Sequence, residues 1–458
     1  MTADSRPILI SRSRHIRELL ILGLPIVIGQ IGSIVQGLAD TLMVGQYSSH
    51  SLAAAGFVNN VMILVLVATM GYSYGLTPVV GAFHARGEYD KAGAALKASL
   101  QTNGQLAIGA LLLTGGLYFL LDRLGQPEEL LPEIRTYYLI VLASLPFQIL
   151  FNAFKQFSDG VGDTRTPMWV MLIANALNIV GNALLIYGIG PFPEWGLAGA
   201  GISTLASRVF MLICLGGIFL FHPRFAHYRP AFFTARQLSA QRKELHTLGF
   251  PIALQMGMET ASFSLSAIMM GWLGSPQLAA HQVMTNVGSL CFLNYYGIGA
   301  AVAIRISHFR GMNDWGNVRR TAFSGLCIIM ICGVILCSLI ASHSSLVSSV
   351  FTDDKAVEGI VTSLMFPFVL YQFGDGLQTC FANSLRGIAD VRPMMRYAFI
   401  SYIVISLPVS YLLGFPTGWG AVGIWMAFPV ALTTAGILFL RRFLKRTGLE
   451  LKNGFGAV

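Results

Sequence analysis

Long apolar blocks separated by short polar connections run along the whole chain. Residues 61–70, 106–121 and 328–340 contain no acid or base at all. With their flanks, such blocks reach the roughly 18–20 residues that an α-helix needs to cross a bilayer. Lipid offers the backbone no other hydrogen-bond partner, so the blocks predict helices. Twelve spans are expected, at 17–46, 51–80, 92–121, 130–155, 166–190, 196–221, 243–273, 278–306, 317–342, 356–385, 394–414 and 420–441.

Composition agrees with this pattern. Of the 458 residues, 54% are hydrophobic and only 11% charged, against about 25% charged in a soluble domain. The first apolar block continues to about Gln46, too long for the core of a cleaved signal peptide, and is read as the first span. The six cysteines all fall inside apolar segments without metal-ligand spacing, so buried, inert thiols are expected.

The net charge of +9 is explained by where the bases lie. Of the 30 Lys and Arg residues, 26 belong to the two termini and alternate connections, Arg305 and Arg386 among them. Only Arg123, Arg135 and Lys355 fall on the other side, and Arg208 lies within a span. Lys and Arg accumulate on the cytoplasmic face, so both termini are expected in the cytoplasm of a bacterial cell whose inner membrane holds the protein. The charge is thus topology and not affinity for nucleic acid, and membrane lipids are the expected partners of the basic loops. The longest inner connection, 222–242, carries Pro223 and Pro230 and divides the chain. The expected organisation is a cytoplasmic tail (1–16), a six-helix bundle (17–221), a cytoplasmic linker (222–242), a second six-helix bundle (243–441) and a tail (442–458).

The two bundles repeat one another. Leu22-Gly-Leu-Pro-Ile26 recurs 226 residues later as Leu248-Gly-Phe-Pro-Ile252. At the same offset Met43 and Gly45 fall on Met269 and Gly271, and Asn60 falls on Asn286. A unit of six spans is even, so the second copy enters from the same side, and the halves are expected to be related by an axis along the membrane normal. Such repeats place a substrate site near the midplane and allow alternating access. They argue for a transporter more strongly than hydropathy does.

Eighteen of the 21 acids fall in loops, tails or span ends; Asp40, Glu259 and Asp375 do not. A carboxylate at mid-bilayer costs about 2.5–3.5 kcal/mol on insertion scales, so three of them require a reason. The offset of 226 sets Asp40 against Ser266 and Glu259 against Ser33, so the shared scaffold does not demand either acid. Arg208 can neutralise one carboxylate, not three. Asn178 and Asn182 share a face of span 5 and Thr204 lies early in span 6, a set of oxygens suited to a hard cation or a shared proton. Interhelical glue is the alternative for such side chains. Gln255 and Tyr371 stand one turn before Glu259 and Asp375, and Met256, Met258, Phe263, Phe292, Tyr295, Tyr296 and Phe373 lie nearby. Acids beside aromatic and Met surface suit a flat organic cation.

The segments Gly23-Leu-Pro-Ile26…Asp40-Thr-Leu-Met-Val-Gly45, Gly249-Phe-Pro-Ile252 and Tyr371-Gln-Phe-Gly-Asp375…Ser384-Leu-Arg-Gly387 resemble the multidrug and toxic compound extrusion (MATE) family, most closely its NorM branch. The resemblance runs from about Leu20 to Arg442. It implies an all-α membrane antiporter that exchanges Na+ or H+ for cationic aromatic drugs and dyes. Asp40, Asn178, Asn182 and Thr204 would form the first-half cation or proton site. Glu259, Asp375 and Tyr371 would form the second-half site, with Gln255 and Met256 beside the substrate. If Na+ is the coupling ion, Asp40, Glu259 and Asp375 would bind it. A monomer without cofactor or enzymatic activity is expected. The nearest rival is a flippase for lipid-linked precursors. An intramembrane enzyme is disfavoured, because the one adjacent Asp pair, Asp353-Asp354, lacks a partner motif.

Overall fold

The computed structural model describes residues 10–343 and 354–455, and the described residues are helical almost throughout. The helices are α1 (Arg12–Tyr47), α2 (Ser49–Ser73), α3 (Leu76–Ala85), α4 (Tyr89–Tyr118), α5 (Leu131–Gly160), α6 (Arg165–Tyr187) and α7 (Gly196–Phe221). They continue as α8 (Arg229–Thr234), α9 (Ser239–Leu273), α10 (Ser275–Gly311), α11 (Trp315–Ser342), α12 (Lys355–Gly387), α13 (Arg392–Ala398), α14 (Leu407–Gly414) and α15 (Gly420–Phe455). The expected twelve spans are present. Ten meet a strict test of length and hydropathy. The other two, α4 and α9, are 30 and 35 residues long and carry the polar residues that dilute their apolar character. Asp353, one of the adjacent pair, lies outside the described residues.

Chain breaks follow local chemistry. Ser48 caps α2 by accepting from Ser51 N, Asp314 caps α11, and Asp354 caps α12. Gly188, at φ +66°, closes α6 in the left-handed conformation that glycine adopts without strain. Prolines remain inside α1, α5, α9, α12 and α15. Neighbouring helices and local adjustments satisfy the backbone they free in a membrane helix. Two spans are less regular than expected. The second is broken at 74–75 into α2 and α3, and the eleventh is π-helical over Phe399–Ser406, between α13 and α14.

The helices form two compact units, and these differ from the halves read in the sequence. One runs from Ile28 to Ala253; the other joins the described residues up to Val27 with those from Leu254 onward. The first turns of α1 therefore belong with the second-half helices, and those of α9 with the first-half helices. Each crossing lies two residues beyond a proline, Pro25 or Pro251.

Within the 28–253 unit, α5 packs on α7 and α4, and α6 packs on α7. Val58, Met62, Tyr138 and Leu145 lie in one of its cores. The start of α9 joins by close approach: a Cβ on Gly249 would stand 2.7 Å from the Tyr72 ring. The linker is folded, a 3-10 turn (Pro223–Tyr228) followed by α8. The buried Tyr228 hydroxyl meets His84 Nδ1 at 2.8 Å, and burial pushes its phenol up to about 12.

In the other unit α12 is central, packed on α15 and α10. Arg305, expected at an inner helix end, is buried against Glu18, with its guanidinium 5.1 Å from the Phe309 ring. Leu112, Leu113, Ile213, Trp272 and Phe366 point outward, as lipid-facing side chains do. All six cysteines are free; Cys291, Cys337 and Cys380 are buried, whereas Cys327 is exposed, against the expectation of burial.

Candidate functional site

Each unit holds its own polar cluster around a carboxylate. In the 28–253 unit, α1 carries Asp40 and α6 carries Asn178 and Asn182 on one face. Asn182 Nδ2 donates to Asp40 Oδ1, and Gln36 Nε2, one turn earlier on α1, donates to Oδ2 at 3.2 Å. With its amide nitrogen turned to the carboxylate, Asn178 donates to Oδ1 at 2.8 Å and accepts from Thr204 N at 3.2 Å. In the opposite orientation it donates to Thr204 Oγ1 at 3.3 Å. The four residues predicted for this site are thus brought together. Asn182 is fully buried, and its Oδ1 has no donor among the described residues.

Arg208, the base that stood in position to neutralise Asp40, bonds elsewhere. Its Nη1 donates to Ser144 Oγ at 2.6 Å, and among the described residues it has no carboxylate within ion-pair distance. Asp159, counted among the span-end acids, is also buried, but Lys155 Nζ meets its Oδ2 at 2.8 Å within α5. The ion pair occupies that oxygen, while Asp159 Oδ1 has no hydrogen-bond partner among the described residues.

In the other unit the cluster forms between α9 and α12. Gln255 Nε2 donates to Glu259 Oε2 at 2.7 Å, and Gln378 Nε2 donates to the same oxygen at 3.3 Å. Thr379 Oγ1 lies 3.3 Å from Asp375 Oδ1 and 3.1 Å from Gln378 Oε1. Asp375 Oδ2 is buried without a hydrogen-bond partner among the described residues. Gln255 also reaches the other way, because Arg386 Nη2 donates to its Oε1 at 2.8 Å. A single amide therefore bridges a buried cation to a half-buried anion.

Arg386 corrects the sequence reading, which counted it among the inner-loop bases. It is buried near the end of α12, where Asn383 Oδ1 also lies 3.4 Å from its Nη1. Arg208 is thus not the sole cation inside a bundle. Helix periodicity carried the missing signal: 375, 379, 383 and 386 are spaced by four, four and three along one face of α12.

An aromatic wall stands beside these acids. Tyr371 meets Phe263 at 6.2 Å, Trp425 at 6.2 Å and Phe428 at 6.3 Å between ring centroids, and Phe263 stacks on Phe428 at 4.7 Å. Trp425 and Phe428 of α15 were not anticipated, since no acid on their own helix marked them. Met256 is half-buried on α9. Met258 lines a different feature, an apolar groove of about 440 Å³ with Leu254, Met395, Arg396, Phe399 and Ile400. Among the described residues no three His, Cys, Asp or Glu side chains converge as a metal cluster. The carboxylates stand among amides and hydroxyls instead.

The MatE family matches the chain twice, over residues 25–184 and 251–412, and the two matches begin at the same 226-residue offset as the internal repeat. The multidrug resistance protein NorM of Vibrio cholerae is 28% identical over 431 residues, covering 93% of this chain and 94% of the relative. The NorM of Photobacterium profundum is also 28% identical, over 442 residues, with 94% and 95% covered. Among solved structures, an outward-facing multidrug resistance MATE transporter superposes with a TM-score of 0.85 at 19% identity, covering 99% of both chains. A point mutant of a Vibrio cholerae MATE transporter gives 0.85 at 16% identity, with 95% and 97% covered.

Proposed function

Because the chain belongs to the MATE family and is a multidrug efflux transporter of the NorM type, we propose that it is a cation-coupled antiporter for small cationic aromatic drugs. It works by alternating access in the bacterial inner membrane, with Na+ or H+ as the driving ion and both termini in the cytoplasm. The observation that carries the reading is Asp375 Oδ2, a buried carboxylate oxygen without a donor among the described residues, on the helix that also presents Tyr371 to an aromatic wall. A buried acceptor left unpaired costs free energy until a proton or cation meets it.

The side chains supply distinct parts of such an exchange. Gln255 and Gln378 orient Glu259, and Thr379 orients Asp375, so the carboxylates are fixed before a ligand arrives. Aromatic faces attract an organic cation by about 0.5–2 kcal/mol per contact. A small cation entering from outside competes with the drug for the same oxygens, and that competition makes the exchange obligatory. Asp40, with Asn178, Asn182 and Thr204, offers a second carboxylate site of the same kind. Exchange of one inward cation for one singly charged drug moves no net charge, so the concentration gradient of the ion drives it, and each further cation carried inward across 100 mV adds about 2.3 kcal/mol.

The test is dye efflux from proteoliposomes under an imposed Na+ gradient and, separately, an imposed pH gradient. Wild type should export under at least one. Asp40→Asn, Glu259→Gln and Asp375→Asn should each lose gradient-driven export. Wild-type rates in all three variants would sink the reading.

A further inference from the structure

At the N-terminal end of α9, a second concentration of charge takes no part in the clusters above. A cavity of about 480 Å³ opens between α4 and the first turns of α9, lined by Gln105, Ser239, Arg242, Lys243, His246 and Thr247. All six side chains can donate a hydrogen bond, and no carboxylate lines the space. Neighbouring cations are already engaged. Lys97 caps the carbonyls of Phe233 and Ala235 at 3.2 and 2.7 Å, and Arg224 pairs with Asp163 at 3.3 Å. Arg242 and Lys243 make no side-chain hydrogen bond or ion pair among the described residues. His246 is held through Nδ1 by the Tyr72 hydroxyl at 2.9 Å and stacks on Phe250 at 5.5 Å, which leaves Nε2 as its free nitrogen. The N-terminus of a 35-residue helix adds its own positive end. This donor set is suited to a phosphate group.

What surrounds the cavity identifies the source of the phosphate. On α4, Gln105 is followed at i+3 and i+7 by Ile108 and Leu112, which are 60% and 72% exposed. On α9, Lys243 is followed at i+7 by Phe250, 50% exposed. The polar lining therefore ends where outward-facing apolar surface begins, on both helices. A water-soluble phosphate would have no use for that surface, whereas a phospholipid would lay its acyl chains along it. We propose that this cavity binds the phosphate of an anionic phospholipid from the leaflet on the basic side of the protein, with its chains against Ile108, Leu112 and Phe250. The bound lipid ties the start of α9 to α4, just before Pro251, and makes the protein's stability depend on headgroup charge.

The experiment uses the full chain purified in detergent, with lipid retention read by native mass spectrometry and thermal unfolding followed in parallel. Phosphatidylglycerol should bind saturably and raise the melting temperature, and phosphatidylcholine should do neither. Arg242→Gln/Lys243→Gln should weaken phosphatidylglycerol binding by about 30-fold, at roughly a factor of five for each base near an anionic headgroup. Its lipid-free melting temperature should stay at the wild-type value, and the single charge reversal Lys243→Glu should weaken binding in the same direction. Arg441→Gln/Lys445→Gln, which removes two exposed bases from α15 instead, should bind as wild type does. Wild-type affinity in the cavity variants would overturn the proposal. An equal loss in the α15 variant would reduce the effect to diffuse surface charge and overturn it too. Displacement of the lipid by glycerol phosphate or inorganic phosphate at matching concentration would show that the site belongs to a soluble phosphate.

Discussion

The bridge through Gln255 makes a quantitative claim. Its amide donates to Glu259 at 2.7 Å and accepts from Arg386 at 2.8 Å, so Gln255→Leu removes two hydrogen bonds to charged groups at once. Each such bond contributes about 1.5–3 kcal/mol. Gln378 still donates to Glu259 at 3.3 Å, and Asn383 Oδ1 still lies 3.4 Å from Arg386 Nη1. With part of the loss recovered by relaxation, the variant should be destabilised by about 3 kcal/mol. A double-mutant cycle isolates the bridge. Once Arg386→Met has removed one contact, Gln255→Leu should cost about 1.5–3 kcal/mol less than it does alone. Gln255→Glu keeps an acceptor for Arg386 but removes the donor to Glu259 and turns a like charge toward it, so it should lose transport. The assays are thermal or denaturant unfolding in detergent and dye efflux in proteoliposomes. Additive effects of the two substitutions, or a Gln255→Leu protein as stable as wild type, would refute the bridge.

Other consequences are more local. Ser144→Ala leaves the Arg208 guanidinium without its 2.6 Å acceptor and should destabilise by about 1.5–3 kcal/mol in an unfolding assay, whereas an Arg208 bound to Asp40 would leave the protein indifferent. A Cβ on Gly297 would lie 2.3 Å from Val27 Cγ2, so Gly297→Ala should cost about 1–3 kcal/mol through overpacking. By contrast Gly104→Ala, with nothing within 4 Å of the new methyl, should raise the melting temperature by removing a flexible residue from a helix interior. Tyr228 is buried and neutral until pH approaches about 12, so the linker's protection from trypsin should be the same at pH 7 and pH 9, and Tyr228→Phe should weaken it.

Much of the fold could be read from sequence, because lipid enforces one backbone solution and the apolar blocks are long. The repeat was legible for a similar reason: a proline, a glycine and their flanks recur at a fixed offset. Asp40, Glu259 and Asp375 stood out because a carboxylate in hydrocarbon is expensive. Arg386 escaped because it lies near the end of α12, and near a span end charge alone does not separate a buried guanidinium from a loop residue. Trp425 and Phe428 escaped because an aromatic side chain in a membrane helix is ordinary until its neighbours are known. The π-helical stretch before Leu407 had only Pro408 to signal it. The crossing of α1 and α9 between units was not legible, since the pattern of apolar positions does not say which bundle a helix end packs against.

That crossing bears on how the protein is made. Neither compact unit follows the halves of the sequence, and the first turns of α1 pack with residues from Leu254 onward. The ribosome supplies those partners roughly 230 residues later, a wait of roughly 10–50 s at cellular elongation rates of about 5–20 residues per second. During that interval the opening segment of the nascent chain has no native neighbours and must be held by the insertion machinery or by lipid. The 28–253 unit, by contrast, is complete as soon as the start of α9 leaves the ribosome. Assembly in the membrane is therefore ordered, first unit before second, and cutting the gene at the linker would separate each unit from a helix end that it needs.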